Sequence, residues 1–310
     1  MSEQKRKKPH RARRMILWSL LALFIASALS VWLSYTLITT TSYAYETPKL
    51  SQPITIVQLS DLHCHLFGFN NAELIRRVRQ EEPDLITITG DVLNYYSESD
   101  EYLLNVVQQL SQIAPVYFTV GNHDVRYMVV HKVSSRLESV ERAGAVVLNG
   151  SYADIVIRGQ HLRIGGLYDY VFNKNQLDDA AYRATDTYRF LTAFENTDAF
   201  KLLLIHQPNY LINEEANARW DIDLALCGHE HGGQVRLPLL GGFYSTHLGW
   251  FTPYLDGATL INGIPTLITR GLSSYIWMSN GLPAPPRFCN PPELVRIQLN
   301  GTSATDGASS

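Results

Sequence analysis

Five short apolar runs, the first three rich in β-branched residues, end abruptly in small clusters of Asp, His or Asn, and this constrains the fold more than any other feature. Ile54–Leu59 leads into Ser60-Asp61-Leu62-His63, Asp84–Thr89 into Gly90-Asp91, and Pro115–Val120 into Gly121-Asn122-His123-Asp124. Lys201–Ile205 leads into His206-Gln207-Pro208, and Ile222–Cys227 into Gly228-His229-Glu230-His231-Gly232-Gly233. Runs of this length and composition read as buried strands. Between them, Ala72–Gln80 places Leu74, Ile75 and Val78 on one helical face, and Tyr102–Ile113 repeats the helical pattern. Strands alternating with helices predict an α/β fold. Such sheets build their sites at the carboxyl ends of strands, where these polar clusters fall. Ala145–Leu148, Asp154–Ile157 and Leu162–Ile164 are further short strands, with Pro265–Thr269 and Leu294–Leu299 closing the set. With no internal repeat and no second linker, residues 54–300 are expected to form one domain.

Of ten histidines, His63, His65, His123, His206, His229 and His231 all lie in or beside these strand ends. Carboxylate, imidazole and amide donors together suit Mn, Fe or Zn better than an all-oxygen Ca or Mg site. Asp-x-His and His-x-His spacings fit a chain leaving a strand, because residues i and i+2 point the same way. Asp91, with no Lys or Arg beside it in the sequence, is suited to bridge two cations.

Asp61-Leu-His63, Gly90-Asp91, Gly121-Asn122-His123-Asp124, His206 and Gly228-His229-Glu230-His231 resemble, in order, the signature blocks of the calcineurin-like metallophosphoesterases. GHEHGGQVRLP and RFCNPPELVRIQL further resemble the membrane-associated bacterial branch typified by YkuE and YaeI. The resemblance implies a sandwich of two mixed β-sheets flanked by helices, with two divalent metal ions. It implies that Asp61, His63 and His231 bind one ion, that Asn122, His206 and His229 bind the other, and that Asp91 bridges both. His123 is then the catalytic imidazole over the leaving group, and Asp124 orients it or stands behind the ligands. Two such ions roughly 3.5–4 Å apart clamp a phosphoryl group and lower the pKa of a shared water, supplying hydroxide for in-line attack. The activity implied is that of a phosphodiesterase or pyrophosphohydrolase. A UDP-2,3-diacylglucosamine-type lipid pyrophosphatase is an alternative, and a non-catalytic metal-binding membrane scaffold a remoter one.

From Met15 to Tyr45 there is no charged residue, and Met15–Leu37 exceeds the roughly 20 apolar residues that cross a bilayer as a helix. Trp18 lies near one end and Trp32 and Tyr35 near the other, as interfacial aromatics do. Lys5, Arg6, Lys7, Lys8, Arg11, Arg13 and Arg14 precede it, which by the positive-inside rule keeps residues 1–14 cytoplasmic and the domain on the outer face. A cleaved signal peptide is the competing reading, but its small-x-small triplet, Ala26-Ser27-Ala28, sits inside the apolar run. A span over 15–38, a linker over 39–53 and a disordered tail over 301–310 complete the expected organisation. Tethering favours a lipid-linked or envelope-derived phosphate ester as substrate.

The formal net charge of -3 hides a split: beyond residue 14 there are 19 Lys and Arg against 28 Asp and Glu, a net of -9. A body that acidic argues against bulk nucleic-acid binding, which needs cations to neutralise phosphates. Cys64, Cys227 and Cys289 form no CxxC pair and read as small hydrophobes, with a Cys64–Cys227 contact near the site as the alternative. His229-Glu230-His231 lacks the four-residue separation of a zinc-peptidase helix, and neither a nucleophile elbow nor a P-loop occurs. His65 is divided between substrate contact and solvated loop, while Glu230 is expected to be exposed or behind the ligands. The aromatic stretches Leu240–Phe251 and Tyr275–Met278 read as core or as an apolar wall beside the site.

Overall fold

A computed structural model describes residues 9–133, 136–167, 179–212, 220–242, 244–245, 248–274 and 284–302. Helix α1 (Pro9–Thr36) runs almost directly into strand β1 (Thr39–Thr47). Then follow β2 (Ile54–Leu59), α2 (Ala72–Gln80), β3 (Leu85–Thr89), α3 (Glu101–Ser111), β4 (Val116–Thr119), α4 (Asn122–His131), α5 (Arg136–Arg142) and β5 (Ala145–Val147). The second half holds β6 (Ser151–Ile157), β7 (Gln160–Leu167), α6 (Asp179–Arg183), α7 (Asp186–Glu195), β8 (Phe200–Ile205), α8 (Asn209–Ile212) and β9 (Leu224–Cys227). Two small antiparallel pairs come next, β10 (Arg236–Leu237) with β11 (Gly241–Gly242) and β12 (Tyr244–Ser245) with β13 (Gly249–Trp250). β14 (Gly257–Ile261), β15 (Ile264–Ile268) and β16 (Glu293–Gly301) close the chain.

Two six-stranded mixed sheets result, ordered β1-β16-β2-β3-β4-β5 and β14-β15-β9-β8-β7-β6. Ile54, Ile56, Leu85 and Ile297 of the first sheet meet Ile164, Leu202, Leu204 and Leu226 of the second in the middle layer. The alternate residues Val57, Leu59, Ile86 and Ile88 face outward onto Leu74 and Val78 of α2 and Val106, Val107 and Leu110 of α3. On the far side, Leu203, Ile205 and Ala225 pack against Phe190, Leu191 and Phe194 of α7. Central strands are therefore buried on both faces, which is why they read as unbroken apolar runs rather than alternating ones.

Register brings the site together. β2, β3 and β4 are parallel, with Leu59 opposite Ile88 and Thr89 opposite Thr119, so their carboxyl ends lie side by side. β8 and β9 are parallel in the other sheet, with Leu204 opposite Leu226. Gln58 Nε2 donates to the Cys227 carbonyl at 3.0 Å, tying the end of β2 to the end of β9 across the sandwich.

Three expected boundaries change. Thr39–Thr47, expected as linker, is an edge strand paired in parallel with β16 from Thr39 opposite Glu293 to Thr47 opposite Gly301. Its TTTSYAYET sequence is polar, but Thr and Tyr favour the pleated backbone, and alternate residues Tyr43 and Tyr45 pack on the middle layer. Helix α1 is already formed at Pro9, within the stretch expected as the basic cytoplasmic terminus, and ends at Thr36. Gly301, assigned to the tail, still belongs to β16; residues 303–310 and Tyr275–Met278 lie outside the described residues. Arg11–Thr36 is long and apolar enough to cross a membrane, and none of its most apolar window is buried within the chain.

Candidate metal centre

The chain leaves β2, β3 and β9 in the left-handed backbone region. Asp61 (φ 54°), His63 (φ 47°), Asp91 (φ 53°), His229 (φ 74°) and His231 (φ 49°) all adopt it. Residues with a Cβ rarely do so, at a cost of about 1–3 kcal/mol each, and such strain persists where the surroundings over-determine it. Here they do. Asp61 N–H donates to the Gly90 carbonyl at 3.0 Å and His63 N–H to the Asp91 carbonyl at 3.0 Å, which clasps the first two turns together. Ser273 N–H donates to the Asp61 carbonyl at 2.7 Å, and Gly228 N–H to the His206 carbonyl at 2.9 Å. Two motif glycines are explained by close approach: a Cβ on Gly121 would overlap the Asp91 carboxylate, and one on Gly228 would overlap Ser60 Oγ and the Asp61 carboxylate.

The side chains converge. His63 Nε2 is 3.9 Å from Asp61 Oδ1 and 3.8 Å from Asp91 Oδ2. His206 Nε2 is 3.1 Å from the same Asp91 oxygen and 3.9 Å from Asp61 Oδ1. His231 Nε2 lies 3.9 Å from Asp61 Oδ1, and the His206 and His229 rings stand edge to face at 5.1 Å. Asp61, His63 and His231 form one group whose ligand atoms all lie within 4.8 Å of one another; Asp91, His206 and His229 form another; His63, Asp91 and His123 form a third.

Imidazole orientation is fixed from behind. His231 Nδ1 faces the Ser273 carbonyl at 3.0 Å and His206 Nδ1 the Thr89 carbonyl at 2.6 Å, so in each ring Nδ1 carries the proton. His63 Nδ1 lies 3.0 Å from Asn94 Oδ1, whose amide nitrogen donates back to the His63 carbonyl at 2.8 Å. All three rings thereby turn the Nε2 lone pair toward the carboxylates, the arrangement that sets the tautomer of metal-binding histidines. Carboxylate oxygens and imidazole nitrogens gathered this way fit divalent transition-metal ions.

Electrostatics agree with that donor set. Burial lowers the His63 imidazole well below its ordinary range, helped by the neighbouring His123. Burial likewise lowers His231, to about 4, against the attraction of Asp61. Both rings are therefore neutral near pH 7, as ligation requires. Burial alone would raise the Asp91 carboxyl, but His206, His123 and His63 hold it well below the usual carboxylate range. Asp124 behaves oppositely: burial and the Asp91 charge push it up to about 7.

Asn122, His123 and Asp124 lie in the same region. Asn122 opens α4, its Oδ1 accepting from Gln207 Nε2 at 3.3 Å. His123 is next to it, its ring 4.8 Å from that of His63 and its N–H donating to Asp91 Oδ1 at 2.7 Å. Asp124 points its carboxylate at the N–H groups of Asp91 (2.7 Å), Leu93 (2.9 Å) and Gly121 (3.0 Å), shaping the Asp91 turn and capping α4. His65 is neither solvated nor plainly at the substrate side, since its Nε2 meets the Tyr35 carbonyl of α1 at 2.8 Å. Glu230 is buried. The three cysteines are free thiols, with Cys64 against Ser97 Oγ at 3.2 Å and Cys227 buried in the second sheet.

Asn94, Arg287 and Asn290 were not singled out from the sequence. Asn94 follows Asp91 by three residues, a spacing whose meaning appears only when His63 arrives from another strand. Fully buried Arg287 donates to the carbonyls of Arg270 (2.9 Å), Ser273 (2.7 Å) and Asn290 (3.0 Å), and so supports the acceptor of His231. Asn290 Nδ2 donates to the His231 carbonyl at 2.7 Å. Burial lowers Arg287 to about 10, which leaves it charged.

The calcineurin-like phosphoesterase family model matches residues 54–233, from β2 through the last histidine cluster. Among relatives, the uncharacterized metallophosphoesterase YkoQ of Bacillus subtilis is 30% identical over 60% of this chain and 63% of its own length. The uncharacterized metallophosphoesterase YkuE of the same organism is 24% identical over 80% of this chain and 79% of its own. The phosphodiesterase YaeI of Escherichia coli is 28% identical over 61% of this chain and 64% of its own. The chain thus spans somewhat under two thirds of YkoQ and YaeI. With more than half of the chain matched, and the Asp- and His-bearing strand ends inside the match, it belongs to the calcineurin-like phosphoesterase family of metal-dependent hydrolases.

Proposed function

We propose that this protein is a membrane-anchored hydrolase of phosphoric esters that works with two divalent metal ions on phosphodiester or pyrophosphate bonds. The observation that carries this reading is the position of Asp91, whose Oδ2 lies 3.8 Å from His63 Nε2 and 3.1 Å from His206 Nε2. Asp61, His63 and His231 would hold one ion, Asn122, His206 and His229 the other, and Asp91 both. When bound, the ions supply positive charge to the phosphoryl oxygens and acidify water to a nucleophile at neutral pH.

The protein's own groups do the rest. His123, lowered by burial and so neutral near pH 7, offers an N–H to the departing oxygen. Asp124 keeps the Asp91 turn and the amino end of α4 in register, and that helix end adds favourable partial charge beside a bound phosphate. Tyr95 lies against His123 at 5.5 Å between rings, and the Arg126 guanidinium stacks on Tyr95 at 4.3 Å, flanking the imidazole with a cation. YaeI is a phosphodiesterase, which favours diesters here.

Helix α1 supports the anchoring part of the reading. It is apolar on every side, and Met15, Trp18, Phe24 and Leu29 are all half or more exposed, which in water would be a large unpartnered patch. With the basic residues cytoplasmic, the domain occupies the outer face and meets lipid-linked or envelope phosphate esters. Full-length protein purified in detergent should hold about two transition-metal ions and hydrolyse a chromogenic phosphodiester. Asp91→Asn and His229→Ala should each abolish turnover, and undiminished activity in both would sink the assignment. A reporter fused to the C-terminus checks which face the domain occupies.

A further inference from the structure

Helix α1 is fastened to the domain over its last two turns. Cys289 N–H donates to Ser30 Oγ at 2.9 Å, Asn290 N–H to Ser34 Oγ at 3.1 Å and Arg287 N–H to the Tyr35 hydroxyl at 3.2 Å. His65 Nε2 meets the Tyr35 carbonyl at 2.8 Å on the other side. These bonds set a depth. The apolar length before them, Met15 to Leu29, is about 22 Å of helix at 1.5 Å per residue, while a hydrocarbon core is about 30 Å thick. Arg13 and Arg14 hold the opposite end at the far headgroup layer. A spanning α1 therefore draws the loops that grip Ser30 to Tyr35 into the headgroup and upper acyl region.

Those loops are apolar. Leu66 and Phe69 follow His65 and are 58% and 94% exposed. On the other flank, Arg236 N–H donates to the Phe288 carbonyl at 2.9 Å, one residue from the Ser30 contact. The β10–β11 turn that leaves this point bares Leu239 and Leu240, and Trp250 and Phe251 are bare on and after β13. Single exposed apolar residues are ordinary, but six on three neighbouring segments of a chain that also carries an unburied apolar helix form a surface that wants a cover. His63 lies on the first of these segments and His231 on the connection that leads into β10, and Asn290, bonded to Ser34 through its backbone, also holds the His231 carbonyl.

We propose that Leu66, Phe69, Leu239, Leu240, Trp250 and Phe251 insert into the membrane leaflet from which α1 emerges, setting the metal centre at the headgroup layer to act on phosphoesters of lipid headgroups. This rests on the anchored-hydrolase reading above, and the test separates the two. A fluorescent NBD label is placed on Leu239→Cys or, as reference, on Leu23→Cys, in full-length protein carrying Cys64→Ser and Cys289→Ser. The protein is reconstituted in phosphatidylcholine–phosphatidylglycerol vesicles whose acyl chains carry bromine. Both labels should be quenched at least twofold. Quenching at 23 but not at 239 overturns the rim and leaves the anchor standing. A blue-shifted but unquenched label at 239 overturns it in favour of a protein partner or a second copy. Quenching at neither overturns rim and anchor together.

A second readout uses the same vesicles. The combined Leu239→Ser, Leu240→Ser, Trp250→Ser and Phe251→Ser variant should cleave a soluble chromogenic diester within twofold of the parent. Its hydrolysis of a headgroup-labelled phospholipid in the vesicle should fall at least tenfold. Equal loss on both substrates, or none on the lipid, contradicts the proposal. A parent that cleaves the soluble diester but not the lipid ends this inference alone, and one that cleaves neither ends the hydrolase reading.

Discussion

The candidate metal centre and the seam where α1 meets the domain occupy adjoining loops and are held together by opposite means. In the centre, side chains of defined chemistry face one another: Asp61 and Asp91 amid His63, His206, His229 and His231. In the seam, the partners are mostly backbone. One guanidinium, Arg287, reaches the carbonyls of Arg270, Gly271, Ser273, Asn290 and Pro291, while serine hydroxyls of α1 accept from the backbone N–H groups of Cys289 and Asn290. A centre of that kind stores strain and unneutralised charge for a ligand to relieve. A seam of that kind removes unsatisfied groups and confers rigidity. Damage to the first should cost activity with little stability, and damage to the second the reverse.

The largest separation is expected from Asp91→Asn. Asn tolerates the left-handed backbone as well as Asp does, so the thermal midpoint of the metal-free protein should hold. The lost charge should lower kcat/KM on a soluble diester by about 1,000-fold or more, some 4 kcal/mol of transition-state stabilisation. His123→Ala should lower kcat by about 100- to 10,000-fold with metal content unchanged, which elemental analysis checks; loss of metal would make His123 a ligand instead.

Arg287→Met tests the seam. Five carbonyls lose a donor, and about 3 kcal/mol or more of stability should go with it, read as a lower denaturant midpoint. Metal content at saturating concentration should stay near the parent's. A collapse of metal binding with stability intact would reverse the division between the two regions.

The His231 imidazole titrates near 4 in the fold against 6.5 in the unfolded chain. As pH falls, the unfolded chain takes up its proton first. The His231 contribution to the stability of the metal-free protein should be full above pH 6.5 and fall by about 3 kcal/mol between 6.5 and 4, whereas Asp124, pushed up to about 7, acts in the opposite direction. Denaturant titrations at pH 7 and pH 4 check this, with His231→Gln flattening the difference. Asn94→Ala should have the smallest effect. Freeing His63 Nδ1 should weaken metal affinity by about 10- to 100-fold, measured by competition with a chelator.

The same contrast explains what could be read from the sequence. Metal binding would demand particular side chains, so Asp61, His63, Asp91, Asn122, His123, His206, His229 and His231 stood out as candidates, and the apolar runs before them gave the strands that bring them together. Asn94 escaped because its role depends on an imidazole from another strand. Arg287 and Asn290 escaped because carbonyl acceptors leave no trace in residue identity. β1 was mistaken for linker because its Thr- and Tyr-rich sequence is polar, and only pairing with β16, more than 240 residues away in sequence, makes it a strand. His65 stayed divided between substrate contact and solvated loop because its partner, the Tyr35 carbonyl in the last turn of α1, is remote in sequence.

Electron paramagnetic resonance of the manganese-loaded full-length protein bears on Asp91 as the carboxylate shared by two ions. The expected spectrum is that of two exchange-coupled Mn(II) ions at two equivalents, collapsing to uncoupled single-ion signals in Asp91→Asn. Uncoupled signals in the unaltered protein, or saturation at one equivalent, would contradict the shared-carboxylate centre.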